Sequence, residues 1–325
     1  MKILIIFLFC IGAIQAQEII TYPSSIWELD FNSLSRIELP EYKTGYILGK
    51  VKVVTENFYS AEENFGETKK NQVERSETYQ FDKLGLPVSY TVLFNNSGSD
   101  LHKYSYNSKK KISSCECYRN NELSKKLIFK YNTTDKCSEK DDYSGSGSLN
   151  EKTLYTYNSA GKCVKTQLYE KGDSLADYAE HTYDINNNHI GTYWYTGDGM
   201  PVTRYINEEL FSYDSFGNLI EVIQGPHLYR YKYDSSNRII EWTYCINPEY
   251  NTNLDDDRVK KTTYEYNEKG DLIDKTSYDI NSKEESYERR SYTYDKKGNW
   301  IIKIVHTKDA SGVRSIKYIE RKIEY

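Results

Sequence analysis

One stretch constrains this chain more than any other: Ser291-Tyr292-Thr293-Tyr294-Asp295-Lys296-Lys297-Gly298-Asn299-Trp300-Ile301. Tyr292 and Tyr294 alternate with Thr293, and a period of two places every second side chain of a strand on one face. The Asp295 side chain can accept a hydrogen bond from the backbone two residues on, and Gly298 tolerates the positive φ that closes a tight turn. The stretch specifies a strand, a turn and a return strand.

The same pattern recurs nine times, anchored on Asp82, Asn107, Asn132, Asn158, Asp184, Asp214, Asp234, Asn267 and Asp295. The spacings of 25, 25, 26, 26, 30, 20, 33 and 28 residues fall in the range that marks repeat architectures. An aromatic residue always precedes the anchor, and a second sits three before it in every copy but one, where His181 stands. Three after the anchor come Gly85, Gly161, Gly217, Gly270 and Gly298, with Asp135, Asn187, Asn237 and Lys110 in the remaining copies.

An Asx residue, two free positions, then Gly or Asn fits a type I turn followed by a left-handed bulge residue. The anchor then pairs with the residue four later. The aromatic before it faces Pro87, Ile112, Cys137, Cys163, His189, Leu219, Ile239, Leu272 or Trp300 in the respective copies. Each such pair contributes roughly 0.2–1 kcal/mol, too little for a hairpin to stand alone, so neighbours must stack. The expected fold is all-β, an antiparallel meander of about nine tandem hairpins forming an elongated, twisted or coiled sheet.

The recurring Y-x-Y-[DN]-x-x-[GN]-x-[LIW], as in Tyr264-Glu265-Tyr266-Asn267-Glu268-Lys269-Gly270-Asp271-Leu272, resembles the YD repeat of RHS-type proteins over about residues 77–302. The resemblance implies long sheets of β-hairpins, which in large members spiral into a hollow shell around a toxin. This chain has far fewer repeats, no aspartate-proline-rich self-cleavage region after them and no C-terminal toxin domain. The resemblance therefore implies the fold and not toxin encapsulation.

Residues 1–16 read as a secretory signal peptide: Met1-Lys2, an apolar run from Ile3 to Ile14, then Gln15-Ala16. The run is too short to span a bilayer. Residues 17–68 do not match the repeat and read as an N-terminal capping segment, leaving 69–325 as the repeat domain. Net charge is −5 with both signs interspersed, so neither a nucleic-acid footprint nor a polybasic membrane patch is visible. The 33 tyrosines offset a mean hydropathy of −0.77, since each buries an aromatic body while keeping its hydroxyl wet. The weakest junction is expected around Ser105 to Ser148, where Lys110 fills a turn position and Asp141 to Ser148 is flexible by composition.

Constellations that carry chemistry are scarce. No HExxH or Cys-x-x-Cys is present, Gly145-Ser146-Gly147 lacks the features of a phosphate loop, and no cofactor is implied. Cys115, Cys117, Cys137, Cys163 and Cys245 remain after removal of Cys10, and are expected to act as small hydrophobes. His181 and His189 replace aromatic or apolar residues on one face of one hairpin, a candidate metal pair whose simpler reading is flat packing groups. Asn251, Asn253, Asp255 and Asp257 alternate like calcium ligands but lack the glycine and distal glutamate of a calcium loop, so a solvated acidic loop is favoured. Trp194, Tyr195 and Trp242 are candidate sugar- or partner-stacking residues.

The favoured function is an exported, non-catalytic β-repeat scaffold or binding protein of the cell envelope or extracellular space: periplasmic, outer-membrane associated or secreted. Its partner is expected to be a protein or glycan at the cell surface, with no nucleic acid and no membrane span. A carbohydrate-binding module using exposed Tyr and Trp is the alternative. A hydrolase built on scattered carboxylates has no support in their spacing.

Overall fold

The computed structural model describes residues 19–21, 46–95, 97–170, 174–201, 208–246, 260–278 and 283–325. Strands β1 (Ile19–Thr21) and β2 (Tyr46–Leu48) pair only with each other. The meander begins with β3 (Val53–Asn64), β4 (Glu67–Phe81), β5 (Pro87–Phe94), β6 (Gly98–Tyr106), β7 (Ile112–Arg119), β8 (Glu122–Tyr131) and β9 (Cys137–Ser144). It continues through β10 (Leu149–Tyr157), β11 (Cys163–Glu170), β12 (Ser174–Tyr183), β13 (His189–Thr196), β14 (Glu208–Tyr213), β15 (Leu219–Gln224) and β16 (His227–Tyr233). It ends with β17 (Ile239–Ile246), β18 (Lys260–Tyr266), β19 (Leu272–Tyr278), β20 (Glu284–Tyr294), β21 (Trp300–Lys308) and β22 (Arg314–Glu324).

The hairpins form as their turn chemistry dictates. At Asp295 the carboxylate accepts from the Lys297 and Asn299 amides, both at 2.9 Å, and the Asp295 amide donates to the Asn299 carbonyl at 2.8 Å. Gly298 has φ +90°, and the same position is left-handed at Lys110 (61°), Asp135 (62°), Asn187 (62°) and Asn237 (57°). The expected cross-strand pairs are present in all copies, from Phe81 with Pro87 to Tyr294 with Trp300, each beside a bulge that shifts the register by one residue.

The elongated, twisted or coiled sheet expected from the repeats is not what these hairpins make. β22 returns to β3 and pairs antiparallel with it from Ile316–Ala61 to Glu324–Val53, so β3 to β22 close into a twenty-stranded barrel. Closure removes both sheet edges, which would otherwise be sites of aggregation. β3 lies inside the 17–68 stretch expected to cap the repeats, and it is a stave of the wall. Asp141 to Ser144 likewise belong to β9, pinned by Lys130–Asp141 (3.0 Å) and Lys125–Asp142 (2.6 Å) ion pairs, and only Gly145 to Ser148 form the turn.

Strands about 4.8 Å apart give a twenty-stranded wall a diameter of roughly 30–40 Å, depending on tilt. Among the described residues, strands pack substantially only against their neighbours in the sheet, so the wall is a single layer. On the concave face of such a wall side chains converge, and on the convex face they splay. The large buried aromatics Tyr79, Phe129, Tyr155, Tyr264 and Trp300 therefore mark the inner face. The alternate positions carry cross-strand ion pairs on the outer face: Lys126–Glu116 (2.9 Å), Arg230–Glu221 (2.9 Å), Lys232–Glu241 (2.7 Å) and Arg289–Asp274 (3.1 Å).

Candidate functional site

The inner wall is where the unusual residues collect. Its organising contact is a tyrosine clasp between successive hairpins. The bulge beside each turn takes the carbonyl of the first return-strand residue out of the regular ladder. The hydroxyl of the anchor-preceding tyrosine in the next hairpin donates to it: Tyr131 to Ile112 O (2.7 Å), Tyr157 to Cys137 O (2.7 Å), Tyr183 to Cys163 O (2.6 Å) and Tyr266 to Ile239 O (2.7 Å). Burial raises the pKa of each of these four phenols that shows a resolved shift, Tyr131 to about 12, so they stay protonated donors. The hydroxyls expected to remain wet are thus the links between repeats.

At the seam the inner wall turns polar. Arg321 donates to Glu56 from Nε (2.8 Å) and Nη2 (2.6 Å), and its guanidinium lies 3.3 Å from the centre of the Trp300 ring. Arg75 pairs with Glu77 at 3.0 Å, and Arg290 pairs with Glu288. Burial raises the Glu77 carboxyl pKa, with the Arg75 charge opposing it. Lys303 stands 4.8 Å over Trp300, and burial, with Arg290 and Arg321 beside it, pulls its ammonium down to about 8.

The rim is tied to the N-terminal segment by Asn299, which is 2% exposed. Its Oδ1 accepts from the Leu48 amide (2.6 Å), and its Nδ2 donates to Leu48 O (3.0 Å) and Tyr325 Oη (2.8 Å). Tyr325 donates in turn to Asp295 Oδ2 at 2.8 Å. Sequence reasoning missed Asn299, because a lone asparagine after a turn gives no sign of a partner 251 residues away.

His181 and His189 meet on the inner wall with ring centres 5.6 Å apart. His181 lies between two hydroxyls, Nε2 to Thr166 Oγ1 at 3.0 Å and Nδ1 to Thr192 Oγ1 at 3.1 Å, and His189 Nε2 reaches the same Thr192 oxygen at 3.0 Å. Burial lowers both pKa values, that of His181 to about 4 with the second imidazole adding to it. Asp184 is engaged in its own turn, with Asn188. Among the described residues no three His, Cys, Asp or Glu side chains group as a metal site.

The three aromatic candidates do not form one platform. Trp194 pairs with Ala179 on the inner face, whereas Tyr195 points outward and stacks on Tyr178 at 4.9 Å and 17°. Trp242 is inward and packs with Tyr229 (6.3 Å, 26°), beside Tyr244 and His227. The run Asn251, Asn253, Asp255 and Asp257 lies outside the described residues, as does the leader. Cys115, Cys117, Cys137, Cys163 and Cys245 are all free thiols.

A family model described as Teneurin YD-shell matches residues 42–244, which is 203 of the 325 residues. No curated protein matches the chain. Among solved structures, a porin-like protein from Bacteroides uniformis is similar at 9% identity and a TM-score of 0.34, covering 84% of this chain and 98% of that one. The Tc holotoxin pore of Photorhabdus luminescens is similar at 12% identity and a TM-score of 0.32, covering 89% of this chain and 20% of that one.

Proposed function

The chain belongs to the Teneurin YD-shell family, and on that premise we propose that it acts as an exported, non-catalytic shell that presents its inner wall to a partner. The observation that carries this reading is the division of the wall: buried aromatics and a polar seam inside, ion pairs outside. An outer face of Lys–Glu and Arg–Asp pairs suits water. A lysine or arginine at the middle of a bilayer costs roughly 2–4 kcal/mol, and this face carries several. No helix among the described residues is long and apolar enough to cross a membrane. The partner is a protein or glycan of the cell surface, and the half-buried Trp242, Tyr229 and Tyr244 offer it an aromatic surface within the hollow.

Fractionation of cells making the full chain, with N-terminal sequencing and flotation against liposomes, tests this reading. The expected product begins at Gln17, lies outside the cytoplasm and does not float with lipid. A product retaining Met1 inside the cell, or one that inserts into liposomes, overturns it.

Carbohydrate binding is the second reading, favoured by the outward Tyr178–Tyr195 stack. Lys165 covers the Tyr178 ring at 4.1 Å, so Tyr195 is the residue left to meet a sugar. A glycan array probed with the mature chain and with Tyr195→Ala separates the readings: binding lost in the variant supports the module, and no binding by either removes it.

A further inference from the structure

The seam arginines each hold a carboxylate, and the lysine among them does not. Arg321 is bound to Glu56 (2.6 and 2.8 Å), Arg75 to Glu77 (3.0 Å) and Arg290 to Glu288 through Nε (2.5 Å). Lys303 has the Trp300 ring at 4.8 Å and neither a hydrogen bond nor an ion pair among the described residues. Its side chain lies on the inner face with Trp300, because the bulge beside Tyr294 sets Trp300 opposite Tyr294 and Lys303 opposite Tyr292.

The ladder puts this lysine between two guanidiniums. Arg290 lies two residues along β20 from Tyr292, and Arg321 two along β22 from Ile319, the residues that face Lys303 on either side. Such diagonal neighbours stand roughly 7 Å apart, within reach of long side chains. Three cations thus cross three adjacent strands in one diagonal, and like charges so placed repel. The charges that act chiefly on Lys303 are Glu56 and Glu288 with Arg290 and Arg321, which are already paired with one another. The ammonium's own charge is left over. Side chains of Arg290 and Arg321 are 9% and 2% exposed, so the surplus sits in a poorly hydrated part of the wall, where an uncompensated charge is costly.

We propose that Lys303, between Arg290 and Arg321, receives a single carboxylate group of a ligand that reaches the inner wall. The proposal rests on the reading that this wall meets the partner, and gives that partner its chemistry. One surplus positive charge matches a carboxylate, whereas a phosphate dianion overshoots it. Two carboxylate oxygens can accept from the ammonium and from a neighbouring guanidinium at once. A monatomic anion such as chloride offers no such fork.

The test uses the purified full chain with sodium acetate as the probe, at an ionic strength held constant with sodium chloride. Peptide-resolved labelling of lysines with an amine-reactive ester should show Lys303 slowed more than twofold by acetate, and exposed Lys126 unchanged. Acetamide, the neutral isostere, should give no protection. Broadening of the acetate methyl resonance by the protein should be lost in Lys303→Met and kept in Lys126→Met. Lys303→Met should melt no lower than the wild type, since it removes an unpaired charge. Equal protection by chloride, protection by inorganic phosphate without protection by acetate, acetate broadening unchanged in Lys303→Met, or a lower melting temperature in that variant would each overturn the proposal. These measurements need no export, so their failure is distinct from a failure of the fractionation result.

Discussion

Removing Arg321 is the sharpest test of how the barrel is closed. The guanidinium side chain is 2% exposed and its Glu56 partner 11%, so both charges sit out of water at the β3–β22 junction. Breaking a buried ion pair from one side costs about 3–5 kcal/mol, because the remaining charge keeps its desolvation penalty. Lys303 stands close enough to Glu56 to relieve part of it, which favours the lower end, about 3 kcal/mol. For a domain of this size 1 kcal/mol shifts the melting temperature by about 2–4 °C, so Arg321→Met should melt roughly 6–12 °C lower. Arg230→Met, which breaks the exposed pair with Glu221, should cost under about 1 kcal/mol and serves as the control. Glu56→Leu combined with Arg321→Met should recover part of the loss, since neither member of the pair is left buried alone, although Lys303 then loses the Glu56 carboxylate. Urea unfolding followed by circular dichroism measures all four chains. Equal, small losses in Arg321→Met and Arg230→Met would mean that the seam is not closed by this pair.

Tyr157→Phe removes one clasp and leaves Cys137 O without its donor, so it should cost about 1 kcal/mol in the same assay, whereas Tyr195→Phe should be silent. Gly298→Val should cost roughly 1–2 kcal/mol, because φ +90° is forbidden to a β-branched side chain and no crowding beyond a 3.6 Å contact to Leu48 is involved. His181 and His189 have folded pKa values below the unfolded 6.5, so their contribution is full above pH 6.5 and declines as the pH falls, that of His181 being lost as the pH falls through about 4. Thermal melts between pH 7 and pH 4 should show a loss that His181→Phe reduces. In hydrogen exchange the β13–β14 junction should open first, since among the described residues only Gly191 to Tyr193 pair there with Glu208 to Leu210. Earlier exchange at 105–148 would instead favour composition over ladder length as the determinant.

The parts of this fold that depend on neighbouring residues could be read from the sequence. Turn residues and the period-two aromatics fix each hairpin within about a dozen positions, and Lys110 adopts φ +61° because the register demands it, whatever its side chain prefers. Closure depends on residues 265 apart, Glu56 and Arg321, and nothing near either one identifies the other. The tyrosine excess was visible, but the destination of the hydroxyls was not. A bulge frees a carbonyl one hairpin away, and only the stacked geometry brings Tyr157 to Cys137 O. The aromatic candidates separated for a similar reason. Trp194 and Tyr195 are adjacent in sequence, and adjacency on a strand sends them to opposite sides of the wall.

Closure itself is measured most directly by placing fluorophores at Thr55 and Lys322, introduced as keto-bearing residues so that the native thiols are untouched. These two positions pair across the seam on the outer face. In the closed wall their Cα atoms lie about 5 Å apart. In an open sheet of twenty strands they would lie roughly 90 Å apart. The closed shell predicts near-complete energy transfer in the native protein and its loss in denaturant. Negligible transfer in a chain that keeps its β circular dichroism spectrum would contradict it.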